Sequence, residues 1–165
     1  MNKLNVYLDT SIINFLTTDD SPEYRKATEV FFEEIVAKDK INTYISNVVF
    51  DEINKTENSN RRKVLLETIE KYENIKILVA EDETQDEIAF LAENYIKHSI
   101  IPQNKAADAL HIAYSTLFQM DILLSWNFQH LANVNKEKLV IILNRTLGYN
   151  YPFRMANPLE VYFEE

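Results

Sequence analysis

Asp9, Glu52, Asp108 and Asn127 are four residues whose types and positions could hold a metal ion. Three are carboxylates and one is an amide, and each falls in a different segment. Together they make a hard oxygen donor set, which suits Mg²⁺ or Mn²⁺ and not zinc. An ion held there would activate water and polarise a phosphate. Each residue also has a plainer role. Asp9 could cap the helix that follows it, although Thr10 and Ser11 can do that too. An acid closing a buried apolar strand is costly without a partner, which favours function at Asp9. Glu52 stands beside Asp51 and could be an ordinary exposed helical acid. Asn127 could cap a short helix after Trp126. Asp108 could lie on a solvent-facing stripe, well placed for the helix dipole.

Other chemistries find little support. Cysteine is absent, which excludes disulfides and thiolate–zinc sites. Gly148 is the only glycine, so no Gly-rich phosphate loop exists. His98, His111 and His130 lack metal-ligand spacing, and Ser11 has no His–Asp pairing to make it a nucleophile. Supporting roles remain open. Ser11 and Thr10 can hydrogen-bond beside Asp9 and position water or phosphate. Lys105 is close enough to Asp108 to meet a phosphate, and His111, one turn beyond Asp108, could touch substrate. The Arg61-Arg62-Lys63 patch reads as plain surface. A net charge of −9 argues against simple electrostatic capture of nucleic acid, so any such contact is local or needs a more basic partner.

Positioning these residues requires a sheet. Residues 4–9, 42–46, 75–79, 121–126 and 139–143 are short and rich in β-formers, and read as strands. Helical spacing runs over 22–38, 61–74 and 81–99. Shorter helices are expected over 12–16, from Ser46 or Asn47 through Ile53, and over 127–133. A long helix follows Pro102, with Asn104 as its N-cap. Ala106, Leu110, Ala113 and Leu117 share its apolar face, while Asn104, Asp108, His111, Ser115 and Gln119 form a polar stripe opposite. Ser115 and Gln119 read as surface or dimer contact. The tail from Asn144 closes in a short helical end near 159–163.

Strand and helix alternate, so the class is α/β with a mainly parallel sheet. Nearly all-apolar strands indicate that both faces are covered. With 165 residues and 46% hydrophobic content, one domain over 1–165 is expected. Ligands of open α/β sheets gather beyond the carboxyl ends of the strands, where the strand order reverses. A central first strand beside the fourth would bring Asp9, Glu52, Asp108 and Asn127 to one edge. The chain has no apolar run long enough to span a bilayer and no secretory leader, so the cytoplasm is the expected location.

Leu8-Asp9-Thr10-Ser11-Ile12-Ile13, the Glu52 segment, Ala107-Asp108-Ala109-Leu110-His111-Ile112-Ala113 and Leu123-Leu124-Ser125-Trp126-Asn127 carry a resemblance. Across residues 5 to about 143 the chain resembles the PIN domain, in particular the VapC-like toxins of toxin–antitoxin pairs. Residues 144–165 look like the C-terminal extension of one branch, packing on the core. The resemblance implies a three-layer α/β/α sandwich with strand order 3-2-1-4-5. It implies a metal-dependent endoribonuclease that takes Mg²⁺ or Mn²⁺ on Asp9, Glu52 and Asp108. Asn127 departs from the pattern, because many members have a fourth acid there. An RNA substrate, a small inhibiting antitoxin and a homodimer are implied as partners. The Asn127 departure also leaves open a catalytically weakened RNA- or protein-binding module. A phosphoaspartyl transferase fits less well: position 11 is Ser, and no late-strand Lys follows residue 143.

Overall fold

The computed structural model describes residues 2–163. Its strands are β1 (Asn5–Leu8), β2 (Asn42–Ser46), β3 (Ile75–Leu78), β4 (Ile122–Leu124) and β5 (Arg154–Ala156). They form one parallel sheet in the order 3-2-1-4-5. The helices are α1 (Thr10–Asn14), α2 (Pro22–Phe31), α3 (Asn47–Asn54), α4 (Ser59–Lys71), α5 (Glu83–Lys97), α6 (Ala106–Leu117) and α7 (Val134–Thr146). Proline opens α2, where its missing N–H costs nothing. Ser46, Asn58 and Asn133 accept from free amides at the starts of α3, α4 and α7.

Pairing explains the apolar strands. The central β1 has Val6, Tyr7 and Leu8 wholly buried. Alternation sends Tyr7 and Leu123 into one core with Leu91 and Tyr95 of α5, Ile112 of α6 and Val140 of α7. Val6, Leu8, Ile122 and Leu124 enter the other core, with Ile12 of α1, Phe31 of α2, Ile53 of α3 and Leu65 of α4. The result is a three-layer α/β/α sandwich.

Several elements differ from the sequence expectation. Residues 139–143 are not the fifth strand but part of α7. Asn133 caps that helix, and Val140 and Leu143 turn inward at helical spacing while Leu139 and Ile142 are about half exposed. A run of β-formers gave way to capping and packing. The fifth strand comes from the tail: Arg154, Met155 and Ala156 pair with Ile122, Leu123 and Leu124. Met155 N–H donates to Glu137 Oε2 at 2.6 Å, which ties this edge strand to α7. Residues 127–133 form tight turns, with Asn127 O accepting from Leu131 N and Ala132 N at 3.1 and 2.8 Å. Residues 158–160 form a turn rather than a helical end.

In α6 the N-cap position belongs to Lys105, after a short 3₁₀ turn at Gln103–Lys105, so Asn104 does not cap it. The polar stripe of α6 is also not solvent-facing. His111 and Ser115 are buried, and Ser115 Oγ donates to the His111 carbonyl at 2.9 Å. Asn104, before the helix, and Gln119, past its end, are exposed, and Asp108 is half-buried. Arg61 is not plain surface either. Its guanidinium donates to Thr17 O at 2.8 Å and Asn14 O at 3.2 Å, which satisfies carbonyls around the end of α1.

Candidate active site

Asp9 stands one residue past β1 and Ser125 one residue past β4. The register that pairs Leu8 with Leu124 sets the two side by side. Asp9 occupies the N-cap position of α1 but makes no capping hydrogen bond. Two serines take its carboxylate instead. Ser11 Oγ donates to Oδ1 at 2.6 Å, and Ser125 Oγ donates to Oδ2 at 2.7 Å. Backbone amides hold both hydroxyls in turn: Trp126 N–H donates to Ser11 Oγ at 2.8 Å and Asn127 N–H to Ser125 Oγ at 2.9 Å. Asp9 is 4% exposed. Burial pushes its carboxyl above the ordinary carboxylate value, and the nearby Glu52 charge adds to this, while His111 and the serine donors oppose it.

Glu52 reaches the same place from α3, itself launched by the Ser46 cap at the end of β2. Its Oε1 accepts from Thr10 Oγ1 at 2.7 Å and lies 2.6 Å from His111 Nε2. Burial pushes this carboxyl up, but the His111 and Thr10 hydrogen bonds outweigh it and hold Glu52 below its ordinary value. Asp108 sits in the first turn of α6. Burial raises its carboxyl, with Glu52 adding and His111, His130 and Lys105 opposing. Asn127 Nδ2 donates to Asp108 Oδ2 at 3.2 Å, while its Oδ1 accepts from Gln129 N at 3.2 Å and His130 N at 3.0 Å. Those two backbone donors fix which way the amide faces. Asn127 therefore turns its NH₂, not its oxygen, toward Asp108.

Asp9, Ser11, Glu52, Asp108 and Asn127 line one cavity of about 240 Å³, joined by Asn14 and Thr56. Thr10 lines it as well, but its hydroxyl is committed to Glu52 and that of Ser11 to Asp9. Lys105 is exposed at the head of α6 and does not line the cavity. His111 does not face it either. Its ring is 1% exposed and both nitrogens are engaged, so the substrate contact expected from the sequence is replaced by a contact with Glu52. Ser125 is a site residue that the sequence reading did not single out. Its signal is positional: both Asp9 and Ser125 follow a central strand by one residue.

Among the described residues no Lys or Arg pairs with Asp9, Glu52 or Asp108. Glu52 Oε2 and Asp108 Oδ1 make no hydrogen bond there. Carboxylates without a Lys or Arg partner, Asp9 and Asp108 raised by burial, and open oxygens on Glu52 and Asp108 fit a divalent cation such as Mg²⁺ or Mn²⁺. The donors converge without forming a finished cage: among the described residues no group of three His, Asp or Glu side chains is already arranged as a metal site.

No family model matches the chain, and no curated protein matches it. Among solved structures, a chain of DNA-bound VapBC from Salmonella typhimurium aligns with a TM-score of 0.55 at 11% identity. The alignment covers 94% of this chain and 98% of that one. Likeness at such identity is likeness of fold. The chain shares with it the PIN-like α/β/α sandwich, with five parallel strands in the order 3-2-1-4-5.

Proposed function

We propose that the chain is a metal-dependent endoribonuclease, the toxin of a toxin–antitoxin pair acting in the cytoplasm. The carrying observation is the cavity lined by Asp9, Glu52 and Asp108, none of which pairs with a Lys or Arg among the described residues. These three would hold Mg²⁺ or Mn²⁺, which when bound activates water and polarises a phosphodiester. The chain's own groups do the rest. Ser11 and Ser125 keep both Asp9 oxygens oriented, Asn127 orients Asp108, and Thr10 and His111 hold Glu52. Fold likeness to a VapBC chain and the net charge of −9 both support a more basic partner protein, here a small antitoxin, and a homodimer accords with this reading.

Purified protein should cleave RNA with Mg²⁺ or Mn²⁺, stop in EDTA, and lose activity on Asp9→Ala or Asp108→Ala. Growth arrest on expression should be relieved by Asp108→Ala. Full-rate cleavage in EDTA, or wild-type activity after Asp9→Ala, would sink the proposal. One observation favours a second reading, a non-cleaving RNA- or protein-binding module: Asn127 supplies an amide donor where a fourth acid would add a ligand. Mn²⁺ binding with no cleavage in a broad RNA pool would select it.

A further inference from the structure

His111 lies behind the cavity and touches it only through Glu52. Its ring tilts at 58° against Tyr7, with centroids 5.6 Å apart. Nδ1 is 2.7 Å from Tyr7 Oη, and Tyr7 Oη is 2.7 Å from Ser46 Oγ. Ser46 Oγ accepts from Val48 N–H at 3.3 Å. Tyr7, Ser46 and His111 are all buried, on β1, at the end of β2 and on α6. A continuous chain of hydrogen bonds thus runs from the α3 backbone, through the central strands, to Glu52 Oε1.

The direction of that chain follows from donor and acceptor capacity. An ionised carboxylate only accepts, so Nε2 carries a hydrogen toward Oε1. A phenol keeps its proton at neutral pH, so Tyr7 has one hydrogen to donate. If Tyr7 donates to Nδ1, its oxygen accepts from Ser46, and every hydrogen has an acceptor. The reverse direction would leave the buried Ser46 hydroxyl hydrogen without one among the described residues, a costly arrangement.

We propose that His111 is a positioning residue: with Thr10 it pins Glu52 Oε1 and leaves Oε2 to ligate a divalent cation, while Tyr7 and Ser46 set its ring and tautomer. This rests on the metal-dependent reading given above. Glu has three side-chain torsions, and the Glu52 side chain is 32% exposed. Thr10 alone gives it one hydrogen bond. The buried imidazole adds a second, from a ring that cannot turn without breaking the Tyr7 bond. Hydrogen-bond partners of a metal ligand typically change metal affinity by about 10–100-fold when removed.

The test uses the full chain and Mn²⁺ alone as probe, by calorimetric titration without RNA, alongside RNA cleavage and thermal melting. His111→Phe keeps a ring but removes both polar contacts; it should weaken Mn²⁺ binding by about 10–100-fold. His111→Gln restores a donor near Nε2 and should stay within about 3-fold of wild type. Tyr7→Phe should weaken binding in the same direction by less, and it serves as the primary test if His111→Phe does not fold. Wild-type affinity in His111→Phe, or in Tyr7→Phe where that is the primary test, overturns the proposal. So does a His111→Gln protein as weak as His111→Phe. If wild type itself neither binds Mn²⁺ nor cleaves RNA, the metal-dependent reading falls and takes this proposal with it. If wild type does both and only the variants fail to respond, the proposal alone falls.

Discussion

Ser125→Ala probes how Asp9 is held. The substitution removes the donor on Asp9 Oδ2, at 2.7 Å, and the acceptor of Asn127 N–H, at 2.9 Å. Ser125 is wholly buried, so water cannot step in without rearrangement. A hydrogen bond to a charged group contributes about 1.5–3 kcal/mol, and an unsatisfied buried amide costs about 1–3 kcal/mol. Ser11 stays on the other oxygen and lies 3.3 Å from Ser125, so the two losses do not simply add. The expected destabilisation at neutral pH is about 2–4 kcal/mol. Its pH dependence is the sharper test. Burial raises the folded carboxyl of Asp9 above its unfolded value. The contribution of the protonated form is therefore fully present below the ordinary Asp value and is lost as pH rises through the folded value. Losing a donor to the carboxylate raises the folded value further. The stability gap between wild type and Ser125→Ala should thus be smallest near about pH 4 and widen to about pH 8. Urea unfolding in EDTA at both ends of this range measures it. A gap that stays constant with pH, or never exceeds about 0.5 kcal/mol, would refute the view that Ser125 grips an ionised Asp9.

Asp9→Asn and Asp108→Asn should each lower Mg²⁺-dependent cleavage by at least about 100-fold. Because burial raises both carboxyls, each variant should also be more stable than wild type in EDTA above the ordinary carboxylate range, and melting curves across pH check this. Asn127→Asp replaces the amide donor on Asp108 with a like charge. It should destabilise the metal-free protein by about 1 kcal/mol at neutral pH and tighten Mn²⁺ binding in a calorimetric titration; unchanged behaviour in both would count against the observed contact. Trp126→Phe removes the 2.8 Å bond from Nε1 to the buried Thr28 Oγ1 and part of the stack on Tyr24, and should cost about 1–3 kcal/mol in urea unfolding.

Much of the frame was legible because short apolar strands and the end-of-strand rule both depend on local sequence. Four strands sit where β-formers cluster, and the rule that ligands gather past the carboxyl ends picks Asp9 from the sequence alone. The fifth strand was hidden for a physical reason. Three residues in a Pro- and Asn-containing tail have no readable alternation, while the β-former run at 139–143 was captured by the Asn133 cap and helical packing. The environment of His111 was hidden differently. A helical wheel shows that Asp108, His111 and Ser115 share a stripe, but not that the stripe faces Tyr7, a core residue with a polar tip. Ser125 needed the strand register, which no residue type announces.

The partners of the three acids bear on the proposed cation site. Asp9 is held by two hydroxyls, Asp108 by an amide, and Glu52 by a hydroxyl and an imidazole. Hydroxyl and amide donors orient a carboxylate and stabilise its ionised form while leaving its charge uncancelled. A Lys or Arg in their place would lower the same carboxyls more strongly, but it would also neutralise the cavity and occupy it. The observed arrangement tolerates raised carboxyls at Asp9 and Asp108, and the stability lost in ionising them is what a bound divalent cation would restore. The same carboxylates that make the metal-free protein weaker as pH rises should therefore make it the more responsive to added Mn²⁺.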